Sequence, residues 1–186
     1  MRKLKGMPLS AALLFEDETV IRLFPNLRRA WSLKGEQGHI DITGRNDQRV
    51  LFGTINMRTG HRLIMLQRYM RQGGFQALLR ELRRVYKGRP IWLILDNSTP
   101  HTAIKSLALA QRLNITLIWL PKQCSELNAM DHLWRSLKAD ISSNYQYSNV
   151  EEHAHTAINY IRNLSKKTAL LKAGILSERF WLKSFL

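Results

Sequence analysis

Apolar residues fall along this chain in two rhythms. Up to about residue 66 they form short runs bounded by charge, glycine or proline. Residues 9–15 are such a run and suit a buried strand that ends in the acidic cluster Glu16-Asp17-Glu18. Residues 20–29 contain Pro25 and Asn26 and read as a loop. Residues 31–34 could be a short strand stopped by Gly35, and the polar stretch 38–47 reads as a turn region. Residues 50–57 (VLFGTINM) are strand-like, with Gly53 either weakening the strand or marking a bulge. Arg58-Thr59-Gly60-His61 reads as a hairpin turn and residues 63–66 as the returning strand, so this part predicts an antiparallel block.

After Gly73-Gly74 the period lengthens. Phe75, Leu78, Leu79, Leu82 and Val85 recur at helical spacing and predict an amphipathic helix. Arg80, Arg83, Arg84 and Lys87 lie off its apolar stripe, as a solvated face or a phosphate-contacting one. Gly88 and Pro90 end it. The fully apolar run 91–95 predicts a central strand covered on both faces, capped by Asp96. Thr99 and Pro100 can open a helix through Ile104, Leu107 and Gln111, and residues 115–120 form the next strand. Strand, helix, strand at this spacing is a βαβ unit with parallel neighbours. Ser125 is a candidate N-cap for a helix whose stripe is Leu127, Met130, Trp134, Leu137 and Ile141. Asp131 sits about 80° from the centre of that stripe, between core and solvent, with Lys138 on the same flank. A further helix is expected over residues 150–164 and a basic, partly apolar tail over 166–186.

These elements suggest an α/β fold: a mixed central sheet, three antiparallel strands followed by parallel ones, flanked by helices. The chain has 186 residues, enough for one domain with a sizeable core, and 45% of them are hydrophobic. Charge sharpens the picture. There are 29 Lys+Arg against 14 Asp+Glu, a formal net charge of +15, which favours a polyanionic partner such as nucleic acid. The single cysteine, Cys124, excludes an intramolecular disulfide and fits a reducing compartment. Arg2, Lys3 and Lys5 before an apolar run mimic a signal peptide, but the run stops at acidic residues with no small-residue cleavage site. No apolar run approaches the ~20 residues that a membrane span needs.

Asp17 ends one predicted strand, and Asp96 ends another at the carboxyl edge where α/β folds place ligands. Asp131 lies on the flank of a later helix, 34 residues beyond Asp96. Carboxylates brought together suit a hard divalent ion such as Mg²⁺, and a pair of ions roughly 3.5–4 Å apart can activate an attacking oxygen and stabilise a leaving one. Strand alternation puts Glu16 and Glu18 on the face opposite Asp17. Asp131 could instead pair with Arg135 one turn on. Its rival as third carboxylate is Glu126, which the helix macrodipole would also explain in a first turn. Asn97 and His101 are expected to line the site, His101 as a supporting or helix-start residue rather than a base. Lys122, Arg135 and Lys138 are candidate DNA contacts. Trp134 reads as core, and Cys124 as having no chemical role.

The segments LLFEDET, WSLKG, IWLILDN with the following His101, and SELNAMDHLW resemble the DDE catalytic domain of mariner-superfamily transposases, the bacterial insertion-sequence branch in particular. The resemblance covers about residues 9–164, and the order and spacing of the motifs carry it. It implies a ribonuclease H-like fold with Asp17, Asp96 and Asp131 as catalytic metal ligands. Many bacterial relatives have glutamate at the third position, so this chain reads as a D-D-D variant. The implied reaction is metal-dependent cleavage at transposon ends followed by strand transfer, using two Mg²⁺ or Mn²⁺ ions, with DNA and a second copy of the chain as partners. On this reading residues 1–165 form the catalytic domain and 166–186 a tail packed on it. Only 16 residues precede Asp17, so the helix-turn-helix region of such transposases is expected to be absent, the chain being the second product of a split or frameshifted gene whose partner is a separate helix-turn-helix polypeptide, a truncated remnant, or a trimmed piece. The expected location is the bacterial cytoplasm, at the nucleoid. The rival readings are a ribonuclease H-like nuclease or resolvase without strand transfer, and an inactive DNA-binding remnant.

Overall fold

The computed structural model describes residues 2–36 and 38–185. Its centre is a five-stranded sheet in the order β3-β2-β1-β4-β5. β1 (Ala12–Arg22), β2 (Gln48–Asn56) and β3 (Arg62–Gln67) form the antiparallel half. β4 (Ile91–Leu95) and β5 (Ile115–Trp119) continue it as parallel strands beyond β1. The expected mixed sheet is therefore present, with β1 joining its two halves.

The two faces of the sheet are buried by different helices. On one, Leu14, Phe52, Leu93 and Leu95 pack with Phe75, Leu78, Leu79 and Leu82 of α1 (Gln72–Val85) and Leu109 of α3 (Ile104–Arg112). On the other, Leu13, Phe15, Leu51, Ile55 and Ile94 pack with Met130, Leu133, Trp134 and Leu137 of α4 (Ala129–Ile141) and Ile158 and Ile161 of α5 (Val150–Asn163). α2 (Thr99–Thr102) is a single turn, and the extended backbone of Ala103 separates it from α3. α6 (Lys166–Lys172) follows, capped by Ser165. The last segment is drawn into the α4 face: Leu182 is fully buried, and Phe180 and Trp181 stack obliquely on Phe15 at 6.0 and 6.2 Å between ring centres. The Trp181 indole N–H donates to the Leu127 carbonyl at 2.9 Å.

Several local expectations change. The first strand begins at Ala12 rather than residue 9 and runs through the acidic cluster to Arg22, so part of the expected loop 20–29 is strand. Cross-strand pairing with β2 along that whole stretch holds it extended. Residues 31–34 form no strand. They pair with nothing in the sheet, and Trp31 is fully exposed. Ser125 opens only a short 3-10 turn, Ser125–Leu127, and the cap of α4 is Asn128, whose side chain accepts from the Met130 N–H.

Gly53 neither weakens β2 nor marks a bulge. It pairs directly with Asp17 in an unbroken ladder. A Cβ at this position would lie 2.4 Å from Cζ2 of Trp134 and 2.6 Å from Cε of Met130. Glycine thus lets α4 settle onto the sheet beside Asp17. Trp134 is buried and rigidly packed, so Gly53→Ala should lift α4, with a stability loss of about 1–3 kcal/mol. Chemical denaturation measures it, and an unchanged midpoint would mean that α4 tolerates the displacement.

Candidate active site

β1 and β4 run side by side, with Phe15 next to Ile94. Two residues further along the same register, Asp17 stands beside Asp96 at the carboxyl edge of the sheet. Both share the parity of Phe15 and Ile94, so alternation directs them to the face covered by α4. α4 brings Asp131 to them in its first turn. Asn128 fixes that turn twice, through its oxygen to the Met130 N–H and through its amide, which donates to the Glu16 carbonyl at 2.8 Å. The three aspartates line one pocket of about 300 Å³, together with Lys122, Cys124 and Ser125.

The electrostatics of this pocket are those of crowded like charge. The Asp17 carboxyl is pushed up to about 9, first by burial and then by the negative charge of Glu16, Glu18, Asp131 and Asp96. Asp96 behaves oppositely. A hydrogen bond from His101 is the main reason its carboxyl lies below the ordinary range, helped by the Ser98 N–H at 2.9 Å. A cluster of oxygen donors in which Asp17 resists ionisation in this way fits a hard dication, which would supply the missing positive charge.

Behind the pocket lies a second cluster, around His101, whose two glutamates sequence reasoning assigned no role. Glu16 and Glu18 point to the α1 face and meet His101, all with side chains essentially out of solvent. His101 Nε2 is 3.1 Å from Glu16 Oε2 and 3.1 Å from Glu18 Oε1, and Nδ1 is 2.8 Å from Asp96 Oδ1. Burial alone would favour the neutral ring, but the surrounding carboxylates outweigh it and raise its affinity for a proton far above the ordinary histidine range. Glu16 is pushed up to about 7, mainly by burial and against the pull of His101. The legible signal was the i, i+2 spacing of two glutamates directly after the apolar run Ala12–Phe15.

The other expected site residues divide. Asn97 does not line the pocket, because its amide is committed to the Leu120 carbonyl at 3.0 Å, tying the end of β4 to the end of β5. His101 is buried behind the pocket instead of lining it. Lys122 sits at the rim. Arg135 and Lys138 line an adjoining cleft of about 440 Å³ that shares Glu18 and Asp131 with the pocket. Arg135 also pairs with Asp131, Nε to Oδ2 at 3.0 Å, so the i, i+4 ion pair and the pocket position coexist. Burial lowers the Lys138 ammonium below its usual range, partly offset by Asp131 and Asp17. Glu126 lines a different cleft, with His132, Phe180 and Trp181. Trp134 is core.

The sequence model of the DDE superfamily endonucleases matches residues 12–153, spanning all three aspartates. The chain belongs to this family. It is 28% identical over 138 residues to an uncharacterised 39 kDa protein of insertion element IS630 from Shigella sonnei, an alignment covering 73% of this chain and 40% of the relative. Its fold is that of ribonuclease H-like transposase catalytic domains. The mariner Mos1 paired-end complex with Mg superposes with a TM-score of 0.73 at 17% identity, over 96% of this chain and 56% of that one. The Mos1 mariner transposase catalytic domain gives 0.63 at 13%, over 96% and 83%. This DDE superfamily endonuclease thus spans less than half the length of its insertion-element relative.

The crowding has a measurable cost. Asp17 ionises near 3.8 when unperturbed but at about 9 in the metal-free fold, which therefore holds a proton the unfolded chain releases. Its contribution to stability is present below about pH 4 and is lost as pH rises toward 9. Asp17→Asn should raise the metal-free melting temperature at pH 8 by at least about 2–4 °C, the effect of ~1 kcal/mol in a chain of this size. The gain should shrink as pH falls toward 4. A difference independent of pH would mean that Asp17 ionises freely.

Proposed function

We propose that this chain is the catalytic domain of a transposase that cleaves DNA at transposon ends and joins the freed ends to target DNA. The observation that carries the proposal is the convergence of Asp17, Asp96 and Asp131 in one pocket, with Asp17 unable to ionise comfortably without added positive charge. The three aspartates would hold Mg²⁺ or Mn²⁺, in two ions, which when bound activate the attacking oxygen and stabilise the leaving one. Water then attacks the phosphodiester, the bond to the 3′ oxygen breaks, and the released 3′-hydroxyl attacks a target phosphodiester in turn, displacing the target strand's own 3′ oxygen, which leaves as a hydroxyl. Asp17 gives up its proton as the site loads, so activity should increase with pH across the neutral range. Lys122 at the rim and Lys138 and Arg135 in the adjoining cleft are placed to neutralise and orient phosphates.

The domain proper would be residues 1–165, and of the segment 166–186 the described residues 166–185 pack on it as part of the same fold. DNA as the partner is supported by the net charge of +15. A homodimer on DNA is supported by the extended segment between β1 and β2, which exposes Leu27, Trp31 and Leu33.

The direct test is Mn²⁺-dependent nicking of supercoiled DNA, followed by a search for joined products with pre-cleaved ends. Asp17→Asn, Asp96→Ala and Asp131→Ala should each reduce nicking to background, while Glu126→Gln retains it. Nicking without joined products would favour a nuclease or resolvase. Salt-sensitive DNA binding with no nicking, unaffected by EDTA, would favour a remnant that binds through charge alone. Nicking that survives all three aspartate changes would sink the carboxylate assignment.

A further inference from the structure

We propose that His101, backed by Glu16 and Glu18, is a positioning clamp that fixes the Asp96 carboxylate and leaves it one oxygen, Oδ2, for a metal ion. The inference rests on the reading of Asp96 as a metal ligand. Asp96 sits beyond the end of β4 with its side chain half exposed, where packing does little to choose a rotamer. Its Oδ1 is held from two sides, by His101 Nδ1 at 2.8 Å and by the Ser98 N–H at 2.9 Å. An oxygen with two donors has little left to offer a cation, so the free oxygen carries the ligand role.

The imidazole that does the holding is itself held. His101 is fully buried and lies against the Phe75 ring at 4.5 Å between centres. Its far nitrogen faces Glu16 and Glu18 at 3.1 Å each, at ion-pair distance but without the alignment of a hydrogen bond. The ionised Asp96 carboxylate only accepts hydrogen bonds, so the Nδ1 that faces it at 2.8 Å carries an N–H. The Ser98 hydroxyl, 2.8 Å from Nδ1, can turn a lone pair toward the same N–H.

This explains why two glutamates are buried beside a site already crowded with negative charge. They hold the far side of the ring that holds Asp96, and they do so from β1, the strand that carries Asp17. The clamp thereby couples the middle of β1 to the end of β4. Partners of this kind behind a metal ligand typically change metal affinity 10–100-fold when removed.

Two measurements on the whole chain test the clamp. In the metal-free protein at neutral pH, the ¹H–¹⁵N spectrum of the His101 ring, assigned by its loss in His101→Gln, should show a proton on Nδ1. A bare Nδ1 would overturn the proposal. Next, Mn²⁺ affinity is measured calorimetrically for the wild type, Asp96→Ala, His101→Gln and His101→Asn. The asparagine amide can take the place of Nδ1 and still donate to Asp96, whereas the glutamine amide reaches the place of Nε2. His101→Gln should weaken Mn²⁺ binding about 10–100-fold, and His101→Asn should recover most of that loss. Equal losses in the two variants, or none in either, would reduce His101 to a packing residue. Mn²⁺ binding indifferent to Asp96→Ala would instead refute Asp96 as a ligand, with the ring spectrum still deciding the clamp. Should neither histidine variant fold, the ring is assigned through its contact with Phe75 and that spectrum decides alone.

Discussion

Mutual repulsion among carboxylates at one edge of a sheet is the constraint on which this structure turns. Glu16, Asp17 and Glu18 are consecutive on a central strand, and Asp96 and Asp131 come within electrostatic reach of Asp17. Packing alone would disperse such a group. It is held because each member is tied to rigid backbone: two strands fix Asp17 and Asp96, and a capped, buried helix fixes Asp131. A fold that keeps charges together against their repulsion stores an affinity for cations.

β1 carries the consequences to both sides of the sheet. Its odd positions reach the α4 face and the pocket, while its even positions reach the α1 face and the histidine behind. The same period-2 alternation that separates core from solvent in ordinary strands here separates two kinds of acid. Asp17 is left wanting positive charge, whereas Glu16 and Glu18 have it in His101. Gly53, across the ladder from Asp17, and Asn128, reaching from the cap of α4 to the Glu16 carbonyl, then set how closely the helix approaches. The end of the chain joins this support: Trp181 binds the carbonyl of Leu127, the residue before Asn128, while its ring and that of Phe180 cover Phe15.

Positive charge is distributed to complement this arrangement. Lys122, Arg135 and Lys138 lie around the carboxylates without filling the pocket, and Arg135 is already paired with Asp131. Long basic side chains at the rim can swing toward phosphate while the acids stay fixed. That division of labour suits a polyanionic substrate that must approach a negative site, because a cation and the rim together offset the repulsion.

Much of this was readable without coordinates. Hydrophobic periodicity placed all five strands and the principal helices, since a period of two or of 3.6 residues reports directly which faces are buried. It also separated Asp17 from its glutamate neighbours, and the resemblance of the motifs brought the three aspartates into one family pattern. Other features depended on partners remote in sequence. The extension of β1 through the acidic cluster comes from pairing with β2, and no local propensity favours three acids in a strand. The shift of the helix cap from Ser125 to Asn128, the commitment of Asn97 to Leu120 and the burial of His101 between Asp96 and two glutamates likewise required the sheet to be assembled. Local sequence determines which face a side chain takes, because that depends on backbone geometry alone. What the side chain meets there is decided only when distant strands and helices are brought within hydrogen-bonding distance.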